Sequence, residues 1–267
     1  MERIPGDAEG KFARAQLHLA EIRGIIETWQ KQTTHTTISE PDPDASGMVH
    51  CERYVARITG PLLPGLSVLL GDCVHNFKSV LDHVIWRASV VHSDGTPTNP
   101  RRVGFPHWDT RDTYSAKGLH AVSDEVKAIV EALQPYHAGQ NARSHPLWVV
   151  CELDNIDKHR AVHAVNHWAK LPEMTIQSSV TDSWCEIMEP GPIEDGTVIA
   201  RVHSPRALTR NEVTVNLIYQ HGVVIEETET TPMLHLGQTL DAIGKAVHDA
   251  ARDIMTIITA EFIANNS

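Results

Sequence analysis

The chain has 267 residues, of which 41% are hydrophobic and 21% charged, and its formal net charge is -11 at pH 7. A chain of this length buries a sizeable core as one large domain or two small ones. The negative charge argues against a protein that binds nucleic acid through its overall charge, because phosphate binding uses a basic surface. A local basic pocket remains compatible with this composition.

The N-terminus lacks the apolar segment of a signal peptide, and no apolar run reaches the length of a membrane span. We therefore expect a cytoplasmic protein that does not contact a membrane. Four cysteines are far apart and form no Cys-x-x-Cys pair: Cys51, Cys73, Cys151 and Cys185. This spacing favours reduced thiols and excludes a zinc finger.

In the first half of the chain, apolar spacing and turn residues predict three helices and a hairpin. The predicted helices cover residues 8–31, 64–91 and 123–133, and the predicted hairpin strands cover 33–39 and 49–58. The segment 93–112 is rich in Pro, Gly and Asp, so we expect an ordered loop there.

Pro146 opens a further predicted helix that continues to about Trp168. After residue 170 the sequence changes to short runs rich in Val, Ile and Thr, which favour strands. These runs are 175–180, 184–188, 198–203, 213–220 and 223–228. His221-Gly222 is interpreted as the turn of a tight hairpin, and the segment 236–264 as an amphipathic final helix.

This order predicts an α+β fold, in which an antiparallel β-meander packs against a helical bundle. Residues 1–170 would form the bundle with an N-terminal β-hairpin insertion. Residues 171–267 would form the meander and a C-terminal helix that returns to the bundle. We expect one continuous body.

Two predicted helices each carry a polar stripe beside their apolar stripe. On the first, the stripe contains Asp72, His75, Ser79, Asp82 and His83; on the second, it contains Glu152, Asn155, His159 and His163. Because buried charges need partners, facing stripes would bring Lys158 or Arg160 near Asp72 or Asp82. Asp154 and Asp157 are expected to be solvated.

The motifs Gly71-Asp72, His75-Asn76-x-x-Ser79-x-Leu81-Asp82-His83 and Leu153-Asp154-Asn155-x-Asp157-Lys158-His159-Arg160 carry a resemblance. They resemble a widespread set of uncharacterised bacterial proteins with helix-rich N-terminal halves, over residues 62–165. That resemblance implies no known activity.

Those bacterial proteins often have Arg at the position of Lys78, and Arg followed by four residues and His is similar to the signature of HEPN ribonucleases. This likeness implies a metal-independent RNA-cleaving helical bundle that forms a homodimer, binds RNA or a nucleotide and needs no cofactor. His83 would exchange a proton with a ribose 2′-hydroxyl and Lys78 would steady the phosphate, with Asp82, His159 and Arg160 in the same site. Lys78 departs from the pattern, because an ammonium does not reproduce the guanidinium fork.

Two alternatives stay open. Asp72 and His75 share the i, i+3 spacing of metal-binding bundles, so Asp72, His75, Glu152 and His159 would hold a divalent transition metal in a hydrolase or oxygenase. A second acid-x-x-His pair is missing from the sequence, which counts against this reading. In the other alternative the stripes form a buried polar network in a non-catalytic binding or scaffold module.

Overall fold

The computed structural model of the chain describes residues 6–43, 45, 50–60, 63, 65–158, 164–170, 174–188, 193, 195–209, 212–217 and 220–265. Contacts between Cα atoms group the chain into two compact units. The first contains Met1–Arg23, Pro64–Ala164 and Ile225–Ser267, and the second contains Gly24–Leu63 and Val165–Val224. Each unit is thus assembled from separate stretches of sequence.

The first unit is helical. Its elements are most of α1 (Gly6–Gln32, whose last turns belong to the second unit), α2 (Leu66–His92), α3 (Asp124–Ala132), α4 (Pro146–Asp157), the short strand β9 (Leu234–His235) and α5 (Leu236–Asn265). Helix α2 packs against α4 and α5, and α5 also packs against α3 and α4. The bundle therefore forms around α2 and α5.

The core of the bundle follows from the apolar stripes of these helices. Side chains that are at most 1% exposed include Val74, Phe77 and Leu81 of α2, Leu153 of α4, and Leu240, Ile243, Val247 and Ile254 of α5. Helix α3 begins as its sequence predicts, since the Ser123 hydroxyl accepts a hydrogen bond from the Val126 N–H at 3.2 Å. Of the helices in the described residues, none has the length and apolarity to cross a membrane.

The second unit is built from strands. They are β1 (Thr34–Pro41), β2 (His50–Thr59), β3 (Ala164–Lys170), β4 (Met174–Ser178), β5 (Trp184–Ile187), β6 (Val198–Ser204), β7 (Val213–Leu217) and β8 (Gln220–Ile225). An antiparallel sheet has the order β1-β2-β6-β5; β4 pairs with β7, and β3 lies beside β8. Strands β2 and β6 of this sheet contribute to a hydrophobic core formed by Tyr54, Ala56, Ile193, Ile199, Ala200 and Val202.

The α+β fold is confirmed, as are the N-terminal hairpin and five helices, but three details differ. Helix α4 ends at Asp157 rather than near Trp168, because the β-branched and aromatic residues that follow favour the strand β3. His221-Gly222 lies inside β8 rather than at a turn. The later strands do not follow one another as a meander, since β6 inserts between β2 and β5. The expectation of one continuous body stays a prediction.

Candidate functional site

Helices α2 and α4 are joined by a buried carboxylate. Asp154 is 1% exposed, and its Oδ1 lies 2.8 Å from His75 Nδ1 while its Oδ2 lies 2.6 Å from Lys158 Nζ. The two helices therefore share a polar contact, but Asp154 makes it, and this residue lies outside the predicted stripe and was expected to be solvated. Lys158 pairs with Asp154 of its own helix rather than with Asp72 or Asp82.

A second cluster surrounds Lys78. Its ammonium donates to Asp82 Oδ1 at 2.6 Å, and the same oxygen accepts the Phe105 N–H at 2.9 Å. The Lys78 side chain is only 13% exposed. Burial acts to lower the pKa of Lys78, but the neighbouring Cys151 and Asp82 outweigh it and raise that pKa. Lys78 is thus a buried cation that forms an ion pair with Asp82.

His107 and Glu152 form the third polar contact on α4. His107 Nε2 lies 3.1 Å from Glu152 Oε1, and the two side chains are 20% and 15% exposed. Burial alone would lower the pKa of His107, but hydrogen bonds with Cys151 and Glu152 raise it to about 9. The hydrogen bond from His107 lowers the pKa of Glu152. At neutral pH the contact is therefore an ion pair that holds the loop containing His107 on α4.

His83 lies in a different place, at a cleft of about 580 Å³ in the first unit. The cleft is lined by Asp7 and Ala8 of α1, by His83, Trp86, Arg87 and Val90 of α2, and by Met255 of α5. Trp86 is 39% exposed and Arg87 is also exposed. The volume lies in the range of small-molecule sites, and the lining combines an aromatic ring, a fixed cation and an imidazole.

The structure does not bring all the sequence-predicted residues together. His83 lines the cleft, whereas Lys78 and Asp82 bind each other on the side of α2 next to α4. His159 and Arg160 lie outside the described residues. The cation that shares the cleft with His83 is Arg87, one helical turn later.

The proposed metal ligands are also dispersed. Asp72 is exposed, His75 contacts Asp154, and Glu152 contacts His107. The pKa of Asp157 is raised, first by burial and then by the nearby carboxylates of Asp154 and Asp72. In the part of the chain that the structure describes, no group of three or more His, Cys, Asp or Glu side chains is arranged to hold a metal ion.

The sequence pattern points away from two residues of the cleft. Trp86 has the spacing of a core residue, yet it is partly exposed at the cleft. The HEPN-like pattern indicates a cation that precedes His83, whereas Arg87 follows it. The i, i+4 spacing of His83 and Arg87 is the signal that pairs them on one helix face.

No protein-family model, curated protein or solved structure matches this chain.

Proposed function

We propose that the cleft beside α2 binds RNA or a nucleotide, and that His83 acts there on a ribose-phosphate group without a metal. The observation that carries this proposal is that His83, Trp86 and Arg87 line one cleft. In this function Arg87 holds a phosphate with its guanidinium fork and Trp86 stacks on a base. His83 exchanges a proton with the adjacent 2′-hydroxyl.

The acidic balance of the chain favours a short ligand over a long one. A net charge of -11 opposes the binding of many phosphates, whereas a single local guanidinium is sufficient for one. Asp7, which also lines the cleft, is suited to accept hydrogen bonds from a ribose hydroxyl or a base amino group. We therefore propose a mononucleotide or the end of a single-stranded RNA as the ligand.

Fluorescence anisotropy with a labelled single-stranded RNA hexamer tests the binding, and electrophoresis of the same RNA in EDTA tests the cleavage. We expect Arg87→Ala to weaken binding at least about tenfold, roughly 1.4 kcal/mol. His83→Gln should retain binding but abolish cleavage. Arg111→Ala is the matched control, because it removes an exposed arginine whose partner is Glu131 and which does not line the cleft.

Equal affinity of wild-type protein and Arg87→Ala would exclude the cleft as the RNA site. Cleavage that stops in EDTA would instead support a metal-dependent reaction. A chain that neither binds nor cleaves the hexamer, and whose His83→Gln and Arg87→Ala variants change only the melting temperature, would be a non-catalytic module.

A further inference from the structure

A row of side chains crosses the four-stranded sheet of the second unit. Cys51 of β2 lies opposite His203 of β6, and His203 lies opposite Trp184 of β5. Residues directly opposite one another in antiparallel strands place their side chains on the same face. The thiol, the imidazole and the indole are therefore neighbours on one face of the sheet.

The imidazole of His203 is held between the other two groups. Its Nε2 lies 3.8 Å from Cys51 Sγ, and its ring stacks on the ring of Trp184 with centroids 3.7 Å apart and an interplanar angle of 9°. Cys51 is 7% exposed and the His203 side chain 18% exposed, while Trp184 is 56% exposed. The imidazole is thus partly exposed, and the buried thiol lies directly beside it.

We propose that Cys51 and His203 bind one Cu(I) ion, as a two-coordinate thiolate–imidazole site that is separate from the RNA cleft. Soft sulfur and imidazole donors together select ions of this kind. Metal–sulfur and metal–nitrogen bonds of about 2.3 and 2.0 Å span at most about 4.3 Å when they are collinear. A separation of 3.8 Å therefore admits an ion between the two atoms with only small side-chain movements.

Two carboxylates lie beside the pair, and Arg201 binds both of them. The carboxylate of Asp42 lies 3.9 Å from Cys51 Sγ, but it is 3% exposed and is held by Arg201 Nε at 2.6 Å. Glu186 lies 3.9 Å from His203 Nε2 and 3.8 Å from the same guanidinium. Because Arg201 binds both carboxylates, the thiolate and the imidazole are the two donors offered to an ion, and Cu(I) needs only two ligands.

Metal binding here displaces a proton. Burial raises the pKa of the Cys51 thiol, and Asp42 raises it further although Arg201 lowers it. Cu(I) binds the thiolate and so takes the place of the thiol proton. The reaction is a ligand exchange, in which the S–H bond breaks, the proton goes to solvent and no group is oxidised or reduced.

An anaerobic titration of the full chain with Cu(I), in competition with the chromophoric chelator bicinchoninate, tests the proposal. We expect one ion per chain at the high-affinity site, at least 100-fold weaker binding in Cys51→Ser, and at least tenfold weaker binding in His203→Gln. Cys185→Ser is the control, because Cys185 lies on the neighbouring strand but packs against the hydrophobic core on the other face. It should bind as the wild-type chain does.

Quenching of tryptophan fluorescence gives a second readout that does not depend on Cys51→Ser folding correctly. Cu(I) should quench the wild-type chain, and most of that quenching should disappear in Trp184→Phe, whose ring is the one stacked on the ligand. The proposal is overturned if Cu(I) affinity is unchanged in both Cys51→Ser and His203→Gln. It is also overturned if Zn²⁺ competes for the site at equal concentration, since that result requires additional ligands.

Discussion

Asp82 accepts a hydrogen bond from the backbone N–H of Phe105 at 2.9 Å, with the oxygen that also accepts from Lys78. One carboxylate therefore satisfies a buried ammonium and attaches the loop that follows α2 to that helix. Lys78 and Asp82, which the HEPN-like resemblance assigns to catalysis, therefore contribute to stability.

Replacement of Asp82 by Ala should lower the free energy of unfolding by about 1–3 kcal/mol, because Lys78 loses its carboxylate and the Phe105 N–H loses its acceptor. Urea denaturation followed by circular dichroism measures the change. Asp253→Ala is the control, since Asp253 pairs with the exposed Arg252 and its loss should cost less than about 1 kcal/mol. Equal effects of the two variants would contradict the role given to Asp82.

Lys78→Met should leave the RNA affinity within about twofold of wild type while Arg87→Ala weakens it, because Arg87, unlike Lys78, lines the cleft with His83. Anisotropy with the labelled RNA hexamer measures both variants. A large loss of affinity in Lys78→Met, at an unchanged melting temperature, would restore the phosphate role that the HEPN-like pattern implies for this lysine.

The His107–Glu152 ion pair should make stability depend on pH. Since the folded state raises the pKa of His107 to about 9, its contribution is full below the ordinary value near pH 6.5 and is lost as the pH rises through about 9. The expected size, from the contacts of His107 with Cys151 and Glu152 together, is on the order of 3 kcal/mol. On the acid side, the lowered pKa of Glu152 means that stability is lost as the pH falls below that group's usual range.

Urea denaturation of the wild-type chain and of His107→Gln at pH 6.0, 7.5 and 9.5 measures this contribution. The difference in unfolding free energy between the two proteins should be largest at pH 6.0 and small at pH 9.5. His120→Gln, which removes an exposed imidazole that contacts the Thr98 carbonyl oxygen, should show no such trend. A difference that stays constant across the three pH values would disprove the ion pair.

Gly71→Ala should destabilise the protein by about 1–3 kcal/mol, because a Cβ there would overlap the Asp157 carboxylate and force that side chain to turn away. Gly10→Ala is the matched control: it lies in α1 with no atom within 4 Å of the added carbon, so it should stabilise by up to about 1 kcal/mol. Thermal denaturation compares the two variants.

The double variant Gly71→Ala/Asp157→Ala separates a steric cost from a change in helix propensity. If the Asp157 carboxylate is the obstacle, the double variant should be more stable than Gly71→Ala alone. If the two substitutions are additive, the proposed clash does not account for the destabilisation.

The helices were predictable because their signals are local. The apolar periodicity of α2 and α5 and the Ser123 cap depend on residues within a few positions of one another, and the structure confirms them. The predicted end of α4 was wrong. Polar residues at helical spacing continue beyond Asp157, although the helix stops there. The spacing of polar residues alone does not predict where this helix ends.

The contacts of the site were less predictable, because they join distant parts of the chain. The Lys78–Asp82 pair is an i, i+4 contact that a helix requires, but nothing local links His107 to Glu152, which lies 45 positions later. The role of Asp154 depends on its burial by neighbouring helices. The sequence therefore indicates two helices that carry polar contacts, whereas the burial of Asp154 and the partner of Lys158 depend on how those helices pack.

The central strands of the sheet, β2 and β6, come from opposite sides of the long helical stretch 64–164. During synthesis β2 leaves the ribosome well before its partner exists, so its unpaired edge stays available to other chains over that interval. Completion of the sheet waits for translation to pass residue 204, which makes this pairing a late and slow event in folding. Slower elongation between β2 and β6 should consequently increase aggregation of the nascent chain.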